Sequence, residues 1–222
     1  MTCPEQHEQH GGFTLLEMSI VLAIAGLLMA GLLPALTGQI ELQRRNETHK
    51  QLEEIKEALI GYAIINGRLP CPASSAIATD TAGAGISDCS SSAGVLPWAT
   101  LGVNETDAWG RRFTYAATSS FSSTNFTLAS SGNLNVKASS TSASNLASNL
   151  PAILLSHGAN GYGAYTPQGI QITTSADADE AENSNTNSVF VTHDLTPVFD
   201  DIVLWISPNI LFNRMVTAGR LP

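Results

Sequence analysis

An apolar run near the start of the chain places the strongest constraint on its fold. Residues 11–33 read GGFTLLEMSIVLAIAGLLMAGLL, and Glu17 is the one charged residue among them. About 20 consecutive apolar residues predict a helix that crosses a membrane. Placing a carboxylate at the centre of such a helix costs roughly 3 kcal/mol of insertion free energy. We therefore interpret Glu17 as functional and in need of a cationic partner. The alternative is a polar residue tolerated at the membrane interface. The nearest candidate partner is a free amine at Phe13, which would exist if the chain were cut after Gly12.

Residues 12–17, GFTLLE, closely resemble the N-terminus of type IV prepilins and type II secretion pseudopilins. In that family a short leader ends in glycine and is followed by Phe-Thr-Leu-x-Glu and an apolar stretch. The resemblance implies that a prepilin peptidase of the inner membrane cuts between Gly12 and Phe13, and that Phe13 is then N-methylated. It further implies that Glu17 pairs with the Phe13 amine of a neighbouring subunit during filament assembly.

The leader departs from the usual pattern of this family. It has no Lys or Arg and carries Glu5 and Glu8, whereas family leaders are usually basic. Three basic residues follow the apolar run, at positions 44, 45 and 50, which is opposite to the positive-inside rule. We still place the leader in the cytoplasm, because the peptidase site must face it. The chain is thus expected in the inner membrane as a single-pass protein with its head in the periplasm, and then in a periplasmic or cell-surface filament.

The acidic charge balance argues against nucleic acid as a partner. The chain has a formal net charge of −9, or −7 once the two glutamates of the leader are removed. Five basic side chains follow residue 70, and they are too scattered for a nucleic-acid interface, which needs clustered Lys and Arg. Ser, Thr, Asn, Ala and Gly dominate this region, which is typical of a secreted surface rather than of a cytoplasmic enzyme.

Two cysteines would stay in the mature chain after Cys3 leaves with the leader. Cys71 and Cys89 are separated by seventeen residues. In a chain exported to an oxidising space they most simply form a disulfide, which would stabilise the fold by about 3 kcal/mol. Two unpaired thiols are the alternative, and no second pair is present that could complete a zinc site.

Residues 13–65 are predicted to form one long helix in two halves. The first half, 13–33, is apolar all round, as a membrane-embedded or filament-core segment requires. Gly26 and Pro34 lie where many members of the family have a helix-loosening glycine and a kinking proline, and Pro34 should kink or loosen the helix. The second half is amphipathic and should pack on a sheet of the same chain through an apolar stripe, which comprises Leu52, Ile55, Leu59 and Tyr62.

Residues 70–222 are predicted to form an exported head built on an antiparallel sheet. Residues 71–94 and 139–149 are expected to be loops, and Ser207 and Pro208 should open a short helix. We therefore predict an α+β fold of the pilin type, with the leader at 1–12, the long helix at 13–69 and the head at 70–222. The strands are expected to be short and separated by turns, at 112–117, 125–129, 134–138, 153–156, 189–192 and 202–206.

An aromatic turn precedes the first of these strands. Residues 107–115, DAWGRRFTY, resemble the Asp-x-Trp-Gly-x-x-Tyr/Phe-x-Tyr stretch of major pseudopilin heads. Trp109 is expected to pack in the core, Gly110 to allow a tight turn, and Phe113 and Tyr115 to share one strand face. We interpret the stretch as structural rather than as a ligand site, because burial of aromatic side chains dominates such patterns.

One acidic cluster lies in a loop rich in Asn and Ser, and it comprises Asn183 and the four candidate ligands Asp177, Asp179, Glu180 and Glu182. Hard oxygen ligands in a flexible loop suit Ca²⁺, which some pseudopilin heads use. The spacing of an EF-hand and its turn glycine are missing, so a solvated acidic loop is the alternative. Asp200 and Asp201 would add ligands if they fold nearby.

The sequence does not predict an enzyme. Ser156 and His157 are adjacent, and on a strand they would point to opposite faces, so they cannot form a nucleophile–base pair. The sequence contains no Gly-x-Ser-x-Gly elbow, metal triad or phosphate loop. We expect no catalytic residue and no cofactor other than calcium.

The residues and the resemblance together predict a structural subunit, a minor pilin or pseudopilin, of a type IV pilus or a type II secretion filament. The expected partners are the prepilin peptidase/methyltransferase, other pilin or pseudopilin subunits, and an inner-membrane assembly platform. The alternative is a tip-located pilin whose head is an adhesive or binding module. The Asp-x-Trp-Gly stretch favours the secretion machine, whereas the Ser- and Asn-rich loops favour the tip role.

Overall fold

The computed structural model describes residues 14–185 and 187–222, with the backbone alone for residues 30–36. The chain divides after Gln43 into two compact units. Helix α1 (Leu15–Asn66) begins in the first unit and ends in the second. Among the described residues, four short helices and seven strands follow it along the chain.

Helix α1 confirms the predicted long helix over 52 residues. Its helical backbone continues through Gly26 and Pro34, and a kink at Pro34 stays a prediction. The helix ends at Gly67, whose φ of +72° lies in the left-handed region that favours glycine. The N–H of Gly67 donates to the carbonyl of Ala63 at 2.7 Å, which closes the last turn.

In the second unit, α1 buries the predicted apolar stripe. Leu52, Ile55 and Leu59 are at most 2 % exposed, and Tyr62 is half-buried. Full burial of a Leu or Ile side chain is worth roughly 1.5–3 kcal/mol, so this stripe holds the helix to the rest of the unit. It shares one core with side chains of the strands, among them Tyr115, Leu154 and Ile206.

The strands form two sheets. Their bounds are β1 Ala93–Val95, β2 Thr114–Ala117, β3 Leu134–Lys137, β4 Asn145–Leu150, β5 Ala152–Ser156, β6 Val189–Val191 and β7 Ile202–Ile206. The first sheet has the order β1-β2-β5-β7, and each neighbouring pair is antiparallel. The predicted α+β class, a helix packed on an antiparallel sheet, is confirmed. The short helices are α2 Trp98–Leu101, α3 Ser119–Ser122, α4 Ala178–Asn183 and α5 Pro208–Thr217.

The second sheet has the order β4-β3-β6 and departs from the prediction. Strands β3 and β4 are antiparallel, but β3 and β6 are parallel. A parallel pair needs a long crossover between its strands. Here the crossover comprises residues 138–188, and it contains β4, β5 and α4.

Two predicted elements are wrong. Residues 125–129, predicted as a strand, form an irregular segment that ends in a turn. Phe126 of this segment is buried, with its ring centroid 5.1 Å from that of Phe121. Residues 145–149, predicted as part of the loop 139–149, form most of β4, which is mostly exposed and gains its order by pairing with β3 rather than by burial. The expected loop 71–94 also contains most of β1.

The structure supports the predicted cystine. Cys71 and Cys89 form a disulfide with a Cα–Cα distance of 5.0 Å. It ties the segment after α1 to the chain just before β1. The predicted aromatic turn is structural, because Phe113 and Tyr115 are fully buried and Gly110 has a φ of +80°.

Candidate functional site

The N-terminal motif lies at the start of α1. The Glu17 Oε2 atom accepts hydrogen bonds from the N–H and the hydroxyl of Thr14, both at 3.0 Å. The Thr14 hydroxyl in turn accepts from the N–H of Glu17 at 3.2 Å, which completes a capping box. The Thr-x-x-Glu spacing is the sequence signal for this cap, and it gives Glu17 a second role besides the predicted charge pairing. Gly12 and Phe13, the predicted cleavage residues, lie outside the described residues.

The first unit exposes many apolar side chains of α1. Leu15, Leu16 and Leu27 are 92 %, 70 % and 75 % exposed. Large exposed apolar surfaces mark contact with another protein or with lipid. Over the residues that the structure describes, no helix combines the length and the apolar character that crossing a membrane requires.

A buried acidic cluster forms in the second unit. Glu180 comes from α4, and Asp200 and Asp201 come from the segment directly before β7. One carboxylate oxygen from each of the three lies within 4.8 Å of the others. Glu180 is 1 % exposed and Asp201 is 5 % exposed, so the cluster is largely withdrawn from water.

Each of the three carboxylates uses one oxygen for hydrogen bonds and leaves the other free. Glu180 Oε1 accepts from the side-chain amide of Asn160 and from the N–H of Asp200. Asp200 Oδ2 accepts from the N–H of Asn160 at 2.9 Å, and Asp201 Oδ2 accepts from the Asn183 amide at 2.8 Å. The remaining oxygens are buried and have no hydrogen-bond partner, and they are Glu180 Oε2, Asp200 Oδ1 and Asp201 Oδ1.

Burial and repulsion from neighbouring acidic groups oppose ionisation of Asp200 and Asp201. Burial raises the pKa of Asp201 well above its ordinary value, and the charges of Glu180 and Asp200 raise it further, against the hydrogen bond from Asn183. Burial also raises the pKa of Asp200, and the Glu180 charge adds to this. The two aspartates, each with an unsatisfied oxygen, therefore need either protons or a cation.

The charged and titratable neighbours do not supply that cation. His157 Nδ1 lies 3.7 Å from Asp201 Oδ1, but burial and the charge of Arg111 lower the pKa of His157 to about 4, so its imidazole is neutral at pH 7. Arg45 donates to the backbone carbonyl of Asp200 at 3.3 Å. Apart from His157, no basic side chain of the described residues forms an ion pair with the three carboxylates.

The donor set fits a hard divalent cation. Three buried carboxylate oxygens converge without hydrogen-bond partners, and Ca²⁺ prefers oxygen ligands of this kind at 2.3–2.6 Å. A cation placed among them would satisfy the free oxygens and offset the repulsion between the three charges. We therefore regard Glu180, Asp200 and Asp201 as the residues that would hold a metal ion.

The structure brings only one of the four predicted calcium ligands into this cluster. Asp177 instead caps α4 by accepting from the N–H groups of Asp179 and Glu180. Asp179 accepts from the N–H of Ser140 at 2.7 Å. Glu182 accepts from the amides of two nearby asparagines. Of the four predicted ligands, only Glu180 joins Asp200 and Asp201. Nothing in the sequence indicated that asparagines would orient the carboxylates.

Comparison with known families gives one match. Residues 9–33 match the prokaryotic N-terminal methylation motif. This motif is the signature of type IV prepilins and pseudopilins, and the match covers 25 of the 222 residues of the chain. No curated protein and no solved structure matches the chain.

Proposed function

We propose that the chain is a structural subunit, a minor pilin or a pseudopilin, of a type IV pilus or a type II secretion filament. The observation that supports this most strongly is the methylation motif at residues 9–33, which overlaps the start of the 52-residue helix α1 (Leu15–Asn66) that continues into an α+β head. A long helix with exposed apolar side chains at its start suits a subunit whose helices bundle together.

In this proposal the subunit waits in the inner membrane before assembly. The prepilin peptidase removes residues 1–12 on the cytoplasmic side and Phe13 is N-methylated. The head, residues 70–222, then lies in the periplasm until an assembly platform moves the subunit into the filament. A subunit leaves lipid only if an equally apolar environment and a partner for the Glu17 carboxylate await it.

Glu17 would pair with the Phe13 amine of a neighbouring subunit. The capping box supplies a sharp test of this role, because glutamine can replace glutamate in a capping box while it lacks the charge. The Glu17→Gln variant should therefore keep the cap at Thr14 but lose most incorporation into filaments. The Thr14→Ala variant is the matched control, since it removes the cap and keeps the charge.

The measurement is the amount of each variant in sheared or purified filaments relative to the membrane pool. We expect Glu17→Gln to be cleaved and membrane-bound but at least tenfold depleted from filaments, and Thr14→Ala to assemble close to the parent level. Equal assembly of Glu17→Gln and the parent would refute charge pairing. Loss of assembly in Thr14→Ala but not in Glu17→Gln would assign Glu17 to helix capping instead.

A tip-located pilin with a binding head is the second candidate. The exposed Ser- and Asn-rich strand β4, at the edge of the second sheet, favours it, because a free edge strand offers backbone groups to a partner. A shaft subunit and a tip subunit differ in the number of copies per filament and in their position along it. Labelled antibody against the head should decorate the filament length for a shaft subunit and only its ends for a tip subunit.

We further propose that Glu180, Asp200 and Asp201 bind a divalent cation, calcium in an exported head. The three buried, unpartnered oxygens carry this proposal. Direct titration of the full chain in detergent with CaCl₂, by calorimetry, tests it. Binding of one ion per chain would support the proposal, and the absence of any heat or stabilisation at millimolar calcium would refute it.

A further inference from the structure

Arg111 belongs to the aromatic turn, and its side chain contacts the turn that carries Asn160. Its half-buried guanidinium donates from Nη1 to the carbonyl of Gly158 at 2.6 Å and to that of Ala159 at 2.8 Å. Gly161 has a φ of +65°, and a Cβ at this position would overlap the Arg111 side chain. The side chain of Arg111 therefore fits closely against residues 158–161.

The backbone of Arg111 is itself held in place. The Asp107 Oδ1 atom accepts from the N–H groups of Trp109 at 2.9 Å and Arg111 at 3.0 Å. The Asp107 Oδ2 atom accepts from the Ser156 hydroxyl at 2.7 Å, at the end of β5. Asp107 is 4 % exposed, so these bonds form in a buried environment, where unmade hydrogen bonds are costly. The aromatic turn is thereby fixed to the same strand end from which residues 157–161 depart.

The turn that Arg111 holds makes direct contact with the acidic cluster. Asn160 donates its N–H to Asp200 Oδ2 and its side-chain amide to Glu180 Oε1. These bonds occupy one oxygen of each carboxylate and leave the other for the cluster. A Cβ on Gly158 would overlap the backbone and carboxylate of Asp200, so this turn lies directly against that residue.

We propose that Arg111 is a positioning residue for the cation site, acting through the turn at residues 158–161 on Asn160 and hence on Glu180 and Asp200. This inference rests on the proposed cation binding. When Arg111 is replaced, the positioning role predicts a change in cation affinity opposite in sign to the change expected from the loss of its charge alone. The positive charge of Arg111 would repel a bound cation, so an electrostatic role predicts tighter cation binding when the charge is removed. A positioning role predicts weaker binding, because the carboxylates lose their alignment.

The test is cation affinity in the full chain in detergent, measured for the parent, Arg111→Met and Arg111→Lys. Calcium affinity is measured by calorimetry, and thermal stability without calcium is measured separately. The matched control is Arg68→Met, because Arg68 is also half-buried and donates to a backbone carbonyl, that of Ser122, at 3.0 Å. Lysine keeps the charge but offers a compact ammonium in place of the planar guanidinium.

We expect calcium affinity to fall at least tenfold in Arg111→Met and by a smaller factor in Arg111→Lys. In Arg68→Met, calcium affinity should change less than twofold, even if the thermal stability of this variant falls. Unchanged or tighter binding in Arg111→Met would overturn the positioning role. If Arg111→Met does not fold, Gly161→Ala serves as the second variant, because its new methyl group displaces the Arg111 guanidinium. The same loss of calcium affinity is expected in Gly161→Ala, and unchanged affinity in this variant would overturn the proposal. A parent chain that binds no calcium would instead overturn the cation site itself.

Discussion

Replacing Asp201 by asparagine should raise the stability of the cation-free chain. A carboxylate oxygen of Asp201 lies within 4.8 Å of one from each of Glu180 and Asp200. At this distance two negative charges repel by about 3 kcal/mol at an effective dielectric constant of 20. Proton uptake by the cluster relieves part of this repulsion, so we expect a gain of about 2 kcal/mol, or about 4–8 °C in Tm. The asparagine amide can also donate to the free oxygens of its two neighbours.

The same substitution should remove most of the response to calcium. A ligand that binds only the folded state stabilises it by about 2.7 kcal/mol at a hundredfold excess over Kd, so the parent should gain about 5–11 °C in Tm. Loss of one charged ligand costs about 1.5–3 kcal/mol of binding, or about tenfold to 150-fold in affinity. At a hundredfold excess of calcium over the parent's Kd, Asp201→Asn should therefore gain only about 1–5 °C.

The assay is thermal unfolding of the full chain in detergent, followed by tryptophan fluorescence with and without calcium. All three tryptophans, Trp98, Trp109 and Trp205, lie in the second unit and report on its unfolding. Asp194→Asn is the matched control, since it removes one exposed acid from the same part of the chain and should leave the calcium response unchanged. A cation-free Asp201→Asn chain less stable than the parent, with an intact calcium response, would refute the reasoning.

Two further predictions concern the second unit. Serine in place of both Cys71 and Cys89 should lower the free energy of unfolding by about 3 kcal/mol, measured by urea denaturation, because the bond closes a chain separation of 18 residues. Burial lowers the pKa of His157 from 6.5 to about 4, so this group contributes stability that is present above pH 6.5 and lost as the pH falls towards 4. The loss is about 2 kcal/mol at pH 5, and His157→Gln should remove it, as urea denaturation of both chains between pH 7 and pH 4.5 would show.

Both predictions have clear contrary outcomes. If the double serine variant unfolds at the same urea concentration as the oxidised parent, the disulfide does not contribute as argued; the reduced parent is the control for the substitution itself. For His157, the relevant quantity is the difference in pH dependence between parent and variant, because the raised pKa values of Asp200 and Asp201 change stability in the opposite direction. Parallel pH profiles would contradict the account of His157.

The sequence could predict the helices and strands in which apolar residues form a continuous run or recur with a regular period. Helix α1 was predictable because apolar residues either fill 13–33 or recur at helical spacing from Leu52 onwards. Strands such as β2 and β7 carry β-branched and aromatic residues that are buried or half-buried. Strand β4 has neither feature, because its order comes from backbone pairing with β3 at an exposed sheet edge.

The acidic cluster could be predicted only in part, because its members come from separate segments. Glu180 lies in α4, whereas Asp200 and Asp201 lie just before β7, and β6 separates the two segments along the chain. Strand β6 pairs in parallel with β3, and no local pattern in the sequence indicated this pairing. Asp177 and Asp179 looked equivalent to Glu180 in the sequence. Helix α4 distinguishes them, since Asp177 caps its first turn and Asp179 turns towards Ser140. Residue type alone could not assign these directions.

The central claim is that the chain is cut after Gly12 and assembles through the new amine of Phe13. Mass spectrometry of the N-terminus tests it most directly, on protein purified from cells with and without prepilin peptidase. We predict a mature chain that begins at N-methylated Phe13 in the presence of the peptidase and one that keeps residues 1–12 in its absence. Retention of residues 1–12 in both strains would contradict the account.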